Sequence, residues 1–189
     1  MLICSIDIET TGIDENTCDI IEIGAVVDDF NNHYVPFEDL KTFHAYILPE
    51  NGLYSGDPFA LSMHPSIFKK IAIQEEGFVY LSRNEVAPKF GAWLKSVTGG
   101  DAVTVAGKNY SSFDDKFLSR LSGWEDWVRL HRRVLDPGSL YFDPTIDDQL
   151  PNLAECKRRA NLSENVSHTA LEDAWDVCQL IRNYYHCSS

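Results

Sequence analysis

The sequence has little with which to span a membrane, cross-link itself or hold a long polyanion. Among its 189 residues no apolar run approaches the roughly 20 that a membrane-spanning helix needs. The opening MLICSIDIETTG has no basic region ahead of its apolar residues and meets acids at once, so it does not read as a signal peptide. Cys4, Cys18, Cys156, Cys178 and Cys187 are odd in number and contain no CxxC pair. That speaks against a disulfide framework and a zinc site, and for reduced thiols in a cytoplasmic protein. Positive charge is scarce: 16 Lys and Arg stand against 29 Asp and Glu, a net charge of -13. Proteins that track long nucleic acid usually carry a basic surface, so this chain should repel long polyanions except where a metal or a local basic patch offsets its charge. No repeat, low-complexity tract or Gly/Ser/Pro linker divides the chain, so residues 1–189 read as a single domain.

What is present is the composition of a soluble globular protein, 44% hydrophobic and 24% charged, long enough for a sizeable core. LICSIDIE alternates as a strand, with Leu2, Cys4, Ile6 and Ile8 on one face and Ile3, Ser5, Asp7 and Glu9 on the other. Asp19–Phe30 reads as a second, mostly buried strand and Lys41–Pro49 as a third, together an antiparallel meander. ENGLYSGDPFALSMHP, with Gly52, Gly56 and two prolines, reads as a long irregular loop of the functional kind. Helices are expected over Ser66–Ala72 and Asn84–Val97, the latter with Val86, Phe90, Trp93, Leu94 and Val97 at core spacing. Ala102–Gly107 is a fourth strand, SSFDDKFLSRL starts a helix, and RRVLDPG is a short fifth strand. PNLAECKRRAN is a helix with Pro151 in its first turn, and a last helix runs from about Thr169 to Tyr185 with Ala170, Ala174, Val177 or Cys178, and Ile181 inward. The order predicts an α/β fold, a mixed five-stranded sheet flanked by helices.

Asp7 and Glu9 are anomalous in that scheme. Two apart on a strand, their side chains project from one face, where carboxylates repel unless a cation lies between them. Hard oxygen ligands suit Mg²⁺ or Mn²⁺. Asp-x-Glu also occurs on exposed strands, but here Ile6 and Ile8 bury the opposite face. Thr10, Thr11 and Gly12 follow as a loop whose backbone amides can approach a ligand. A further acid, Asp114, follows a strand and a short turn in AGKNYSSFDDKFL, at a helix start where an acid also serves the helix dipole. Phe113, Phe117 and Leu118 read as core anchors, and the F-D register favours Asp114 over Asp115. In SHTALEDAWDV, His168 precedes the last helix and Asp173 lies one turn inside it, beside inward-facing Ala170 and Ala174. A lone histidine at a helix start ordinarily has no chemistry, whereas an inward aspartate is unusual unless it binds something.

Together these groups resemble the DEDDh 3′→5′ exonucleases of the ribonuclease H-like superfamily. The matching residues are Asp7 and Glu9 in DIETTG, Asp114 in FDDKFL, and His168 with Asp173 in H-x₄-D, in order and spacing over nearly the whole chain. IIEIGAVV and LPNLAECKRRANL are similar to the family's second strand and to the helix before its last motif. Asn109 and Tyr110, preceded by Lys108, hold the places where proofreading-type members usually carry His-Asn. With D-x-x-F-L this looks like the oligoribonuclease branch, while DIETTG looks like the proofreading branch. The resemblance implies a ribonuclease H-like fold and two divalent ions, Mg²⁺ or Mn²⁺. Asp7, Glu9 and Asp173 would hold them, Asp114 would help directly or through water, and His168 would act as general base. It also implies release of nucleoside 5′-monophosphates from the 3′ end of single-stranded DNA or RNA. Thr10, Thr11, Gly12 and Asn109 would hold the terminal nucleotide, and the loop bearing Leu61 and His64 would stack on the last base. Taken alone, His64 is an ordinary loop residue. Basic clusters at Arg129–Arg133 and Lys157–Arg159 would touch the first phosphates, unless they are solvated faces.

Two other readings share these residues. One is a phosphodiesterase for short or cyclic oligonucleotides, toward which the acidic charge leans. The other is a nucleic-acid-binding module that has lost its chemistry, against which the presence of all five site residues speaks. Trp124, Trp127, Tyr184 and Tyr185 suit either an interface or, more commonly, core packing. The sequence names no protein partner and does not choose between DNA and RNA.

Overall fold

The computed structural model describes residues 1–163 and 169–186. Its strands are β1 (Leu2–Thr10), β2 (Ile20–Asp29), β3 (Lys41–Leu48), β4 (Tyr80–Ser82), β5 (Val103–Ala106) and β6 (Leu130–Leu135). They form one mixed six-stranded sheet in the order β4-β3-β2-β1-β5-β6. The first three make the antiparallel meander, while β4 runs parallel to β3, β5 to β1 and β6 to β5. The sheet thus has one strand more than the five expected. The extra strand, β4, is three residues long, too short for alternation to mark it.

The flanking helices are α1 (Pro58–Met63), α2 (Pro65–Ile73), α3 (Arg83–Thr98), α4 (Asp114–Leu118), α5 (Trp124–Trp127), α6 (Pro137–Leu140), α7 (Leu153–Arg159) and α8 (Ala170–His186). Three local expectations are corrected. The stretch read as an irregular loop contains α1, because the Asp57 side chain accepts from the Phe59 N–H and Pro58 opens the first turn. The helix expected over SSFDDKFLSRL is broken at Phe113 (φ -128°, ψ -75°), which separates a 3₁₀ turn, Tyr110–Ser112, from α4. Pro151 lies outside α7, whose cap is Asn152, with its side chain accepting from the Glu155 N–H at 2.9 Å.

The alternation of β1 divides the core. Cys4, Ile6 and Ile8 pack with Val86, Phe90 and Leu94 of α3 and Trp124 of α5. Ile3, Val26 and Ala106 pack on the opposite side with Ala174, Val177, Cys178 and Ile181 of α8, so both Val177 and Cys178 are inward. Asp7 and Glu9 share the α8 side. Arg182 fastens α8 to the sheet through a two-pronged pair with buried Asp28, at 2.6 and 2.7 Å. Cys4, Cys18, Cys156 and Cys178 are free thiols, and Cys187 lies outside the described residues. Among the described residues no helix is long and apolar enough to cross a membrane.

Candidate active site

Register on the central strands sets the geometry. Asp7 lies opposite Gly24 on β2, and Glu9 opposite Glu22. Gly24 lets the start of α8 lie directly on the sheet, since a Cβ there would stand 2.2 Å from the Leu171 nitrogen. Glu22, fully buried, finishes the attachment. One of its oxygens accepts from the Ala170 N–H at 3.2 Å, and the other lies 2.5 Å from His44 Nε2. A carboxylate thereby meets the N-terminal amides of α8, where negative charge is favoured. The first turn of α8, so pinned, carries Asp173. One ligand oxygen each from Asp7, Glu9 and Asp173 then lie within 4.8 Å of one another.

Asp114 faces the same place from α4. It is 3% exposed, and one of its oxygens accepts from the Ile8 N–H at 3.1 Å, which ties α4 to the strand between the two acids. It stands outside the group of three but lines the same open cleft of about 370 Å³, with Lys108, Asn109, Ser112 and Phe113. Asp115 points elsewhere.

These acids face one another. Burial, and then the charges of Asp114, Glu9, Asp173 and Glu22, raise the Asp7 carboxyl well above its usual range. Burial, and then Asp173, Glu22 and Asp114, push Glu9 up to about 8. Burial pushes Asp114 up to about 7, opposed by backbone N–H groups including that of Ile8. A dense set of hard oxygen donors that repel one another fits a divalent cation such as Mg²⁺ or Mn²⁺.

His64 is not the ordinary loop residue it resembles in sequence. At the junction of α1 and α2 it is 5% exposed, and its Nε2 lies 3.5 Å from Glu9 Oε2. Leu61, one turn earlier, is half-buried. Thr10, Thr11 and Gly12 form a buried turn beside the cleft without lining it. The Thr10 hydroxyl donates to the Gly12 carbonyl at 2.7 Å. The Thr11 hydroxyl donates to the Ser55 carbonyl and accepts from the Asp19 N–H. Asn109, left-handed at φ 60°, presents its side chain to Lys108 Nζ at 2.7 Å, while its N–H donates to Asp136 at 2.9 Å. His168 lies outside the described residues.

Neither basic cluster lines the cleft. Lys157 pairs with Asp176 and Arg159 with Asp147, which holds α7 to its neighbours, while Glu155 takes Arg158 and Arg159 within the helix. Arg132 lines a different cavity. The lysine at the cleft is Lys108, 3.8 Å from Asp136. Of the aromatic residues weighed for an interface, Trp124 is core, whereas Trp127, Tyr184 and Tyr185 are exposed. Glu22, Gly24, His44 and Asp136 escaped the sequence reading. Only Asp136 had a local signal, the D-P-G of a capped helix start.

No family model matches the sequence, and no curated protein does. In three dimensions the chain is similar to E. coli exonuclease I in its zinc-bound complex with single-stranded DNA (TM-score 0.63, 15% identity, 96% of this chain and 40% of that one). It is similar to the same enzyme with a dA16 oligonucleotide (TM-score 0.64, 16% identity, 97% and 41%). A moderately thermophilic exonuclease I from Methylocaldum szegediense gives a TM-score of 0.62 at 17% identity, over 99% of this chain and 41% of that one. The fold is ribonuclease H-like. The chain spans about two fifths of the length of these neighbours.

Proposed function

We propose that the chain is a metal-dependent 3′→5′ exonuclease of the DEDDh kind that releases nucleoside 5′-monophosphates from single-stranded ends. The observation that carries this reading is the convergence of Asp7, Glu9 and Asp173 within 4.8 Å. The likeness of the fold to exonucleases crystallised with single-stranded DNA supports it. Asp7, Glu9 and Asp173 would hold two ions, Mg²⁺ or Mn²⁺, with Asp114 completing the set. Bound there, such ions supply Lewis acidity to the attacking and leaving oxygens of an in-line displacement. His168 takes the proton from the attacking water through an imidazole nitrogen, a role its spacing from Asp173 supports. Lys108 offers positive charge to the phosphate. Asn109 and the turn Thr10–Gly12 border the terminal nucleotide, with His64 beside Glu9. The CxxC-free cysteines support a cytoplasmic setting.

The test uses 5′-labelled single-stranded RNA and DNA of matched sequence, with Mg²⁺ or Mn²⁺ and the His168→Ala protein alongside. A ladder shortening from the 3′ end and lost in the variant is the expected result, and it also gives the sugar preference. The net charge of -13 favours short substrates, so turnover should fall as the strand lengthens. If metal binds and neither strand is cut, the substrate is instead a short or cyclic oligonucleotide.

A further inference from the structure

Glu22 is a neighbour of the acidic cleft that takes no part in its converging group. Paired with Glu9 across β1 and β2, its side chain leaves the same face of the sheet. Its charge is among those that raise Asp7 and Glu9. A fully buried carboxylate so placed would offer a cation one more oxygen donor, yet both of its oxygens are engaged elsewhere. Oε2 accepts from the Ala170 N–H at 3.2 Å, and Oε1 lies 2.5 Å from His44 Nε2. Among the described residues His44 is the one side chain that meets this carboxylate. It stands on β3 opposite Gly24 and does not line the cleft. Its ring meets those of Tyr46 and Phe78 edge-on, with centroids at 5.1 and 6.0 Å, which helps hold Nε2 toward Glu22.

We propose that His44 is a positioning residue of the metal site, which acts through Glu22 by holding one oxygen of that carboxylate away from the cations. The proposal rests on the metal-binding reading of the cleft. The two bonds of Glu22 then divide the work. Oε2 anchors the turn of α8 that carries Asp173, and Oε1, held by His44, is kept out of the group that Asp173 joins. Without the histidine nitrogen, one oxygen of a fully buried carboxylate loses its partner, and an unsatisfied buried group costs more than its hydrogen bond contributed. A divalent cation among Asp7, Glu9 and Asp173 is the strongest new partner on that face of the sheet. Turning to it would add a ligand and a negative charge to the set, which tightens the cation and lowers its Lewis acidity.

The deciding experiment reads metal binding and needs no turnover. The whole protein, stripped with EDTA and dialysed, is titrated calorimetrically with Mn²⁺. His44→Phe keeps a ring against Tyr46 and Phe78 and removes only the nitrogen, and it should bind Mn²⁺ about fivefold more tightly or better. His44→Gln, whose amide N–H can replace the lost contact, should stay within about twofold of the parent. Glu22→Gln still offers Ala170 an acceptor but carries no charge to the cation, so adding His44→Phe to it should change the affinity by less than about twofold. The His44 side chain is 23% exposed, and His44→Ala serves as the second variant should the phenylalanine disturb the fold. Affinity that is unchanged or weaker in His44→Phe and His44→Ala would overturn the proposal, the weaker result marking His44 as a support for α8 only. An equal gain in the Glu22→Gln background would also overturn it, because His44 would then act through its packing. A parent that binds no Mn²⁺ would remove the metal-binding reading and this proposal together, whereas a parent that binds it beside unresponsive His44 variants removes this proposal alone.

Discussion

Beneath α3 and α5 strand β1 presents Cys4, Ile6 and Ile8 to Phe90, Leu94 and Trp124 of those helices, and beneath α8 strands β1 and β2 present Ser5, Asp7, Glu9, Glu22 and Asp28. The second face is where the chain holds its buried charge, and it treats that charge in two ways. Asp28, opposite Ile3, receives a two-pronged contact from Arg182, and Glu22, opposite Glu9, receives the Ala170 N–H with His44 beside it. Next to Glu22, Asp7, Glu9 and Asp173 face one another. The fold can satisfy a buried acid on this face, and at the cleft it brings acids together instead. That difference separates a structural acid from one set aside for a cation.

The largest expected effect breaks the comparison at the cleft. Asp7→Asn or Asp173→Asn should lower turnover by roughly three orders of magnitude or more. The fold should persist, and the metal-free protein should melt no lower than the parent, since each substitution relieves repulsion. Paired turnover assays and melts check this, and retained turnover in either variant sinks the ligand assignment. Phe90→Ala, on the apolar face, should do the reverse. It removes a ring buried to 0% exposure and should destabilise by about 3–5 kcal/mol, with turnover per folded molecule unchanged. Chemical denaturation and activity at low temperature separate the two quantities.

Much of this division is legible in the chain. The alternation of LICSIDIE assigns each residue of β1 to a face, and the F-D register picks Asp114 over Asp115, which the structure places in different cavities. What stays illegible depends on partners far away in sequence. Gly24 sits in the mostly apolar run IIEIGAVV, and only the arrival of α8 makes its missing side chain matter. Glu22 looks like the polar member of a half-buried strand until the Ala170 amide meets it. Glu155 and Arg159 have the spacing of a helical ion pair, but nothing local reveals Asp147, the second partner of Arg159, or Asp176, the partner of Lys157. His64 is hidden by its proline-rich surroundings, which read as loop whether or not they fold back onto Glu9.

Gly24 gives a smaller effect that sharpens the comparison, because it tests how closely α8 must approach. In Gly24→Ala the new Cβ would meet the backbone of Ala170 and Leu171 at 2.3 and 2.2 Å, so α8 must shift. A loss of about 1–3 kcal/mol is expected, with weakened Mg²⁺ binding because Asp173 moves with the helix. Equivalent metal affinity in parent and variant would show that the first turn of α8 does not set the ligand geometry.

The last effect, similar in size to that of Gly24→Ala, is a dependence on pH. Glu9, at about 8, and Asp114, at about 7, both lie above the ordinary carboxylate range in the folded chain. A carboxyl raised on folding favours the folded state while protonated. Its contribution is therefore complete below the unfolded value and is lost as pH rises through the folded one. The groups facing Glu9 act in concert: Asp7, Asp114, Asp173 and Glu22 oppose its charge, and His64 lies against it. Metal-free protein should thus lose about 1–3 kcal/mol between roughly pH 5 and pH 8. Mg²⁺ should restore most of that loss at the upper end and little at the lower, where protons already neutralise the site. Melts across this range with EDTA or Mg²⁺ provide the measurement. Phe90→Ala should shift both curves down together, whereas Asp7→Asn should flatten the metal-free curve and shrink the gap between them. A metal-free melting temperature that rises over this interval would mean that the cleft acids are already balanced by the chain and reserve no place for a cation.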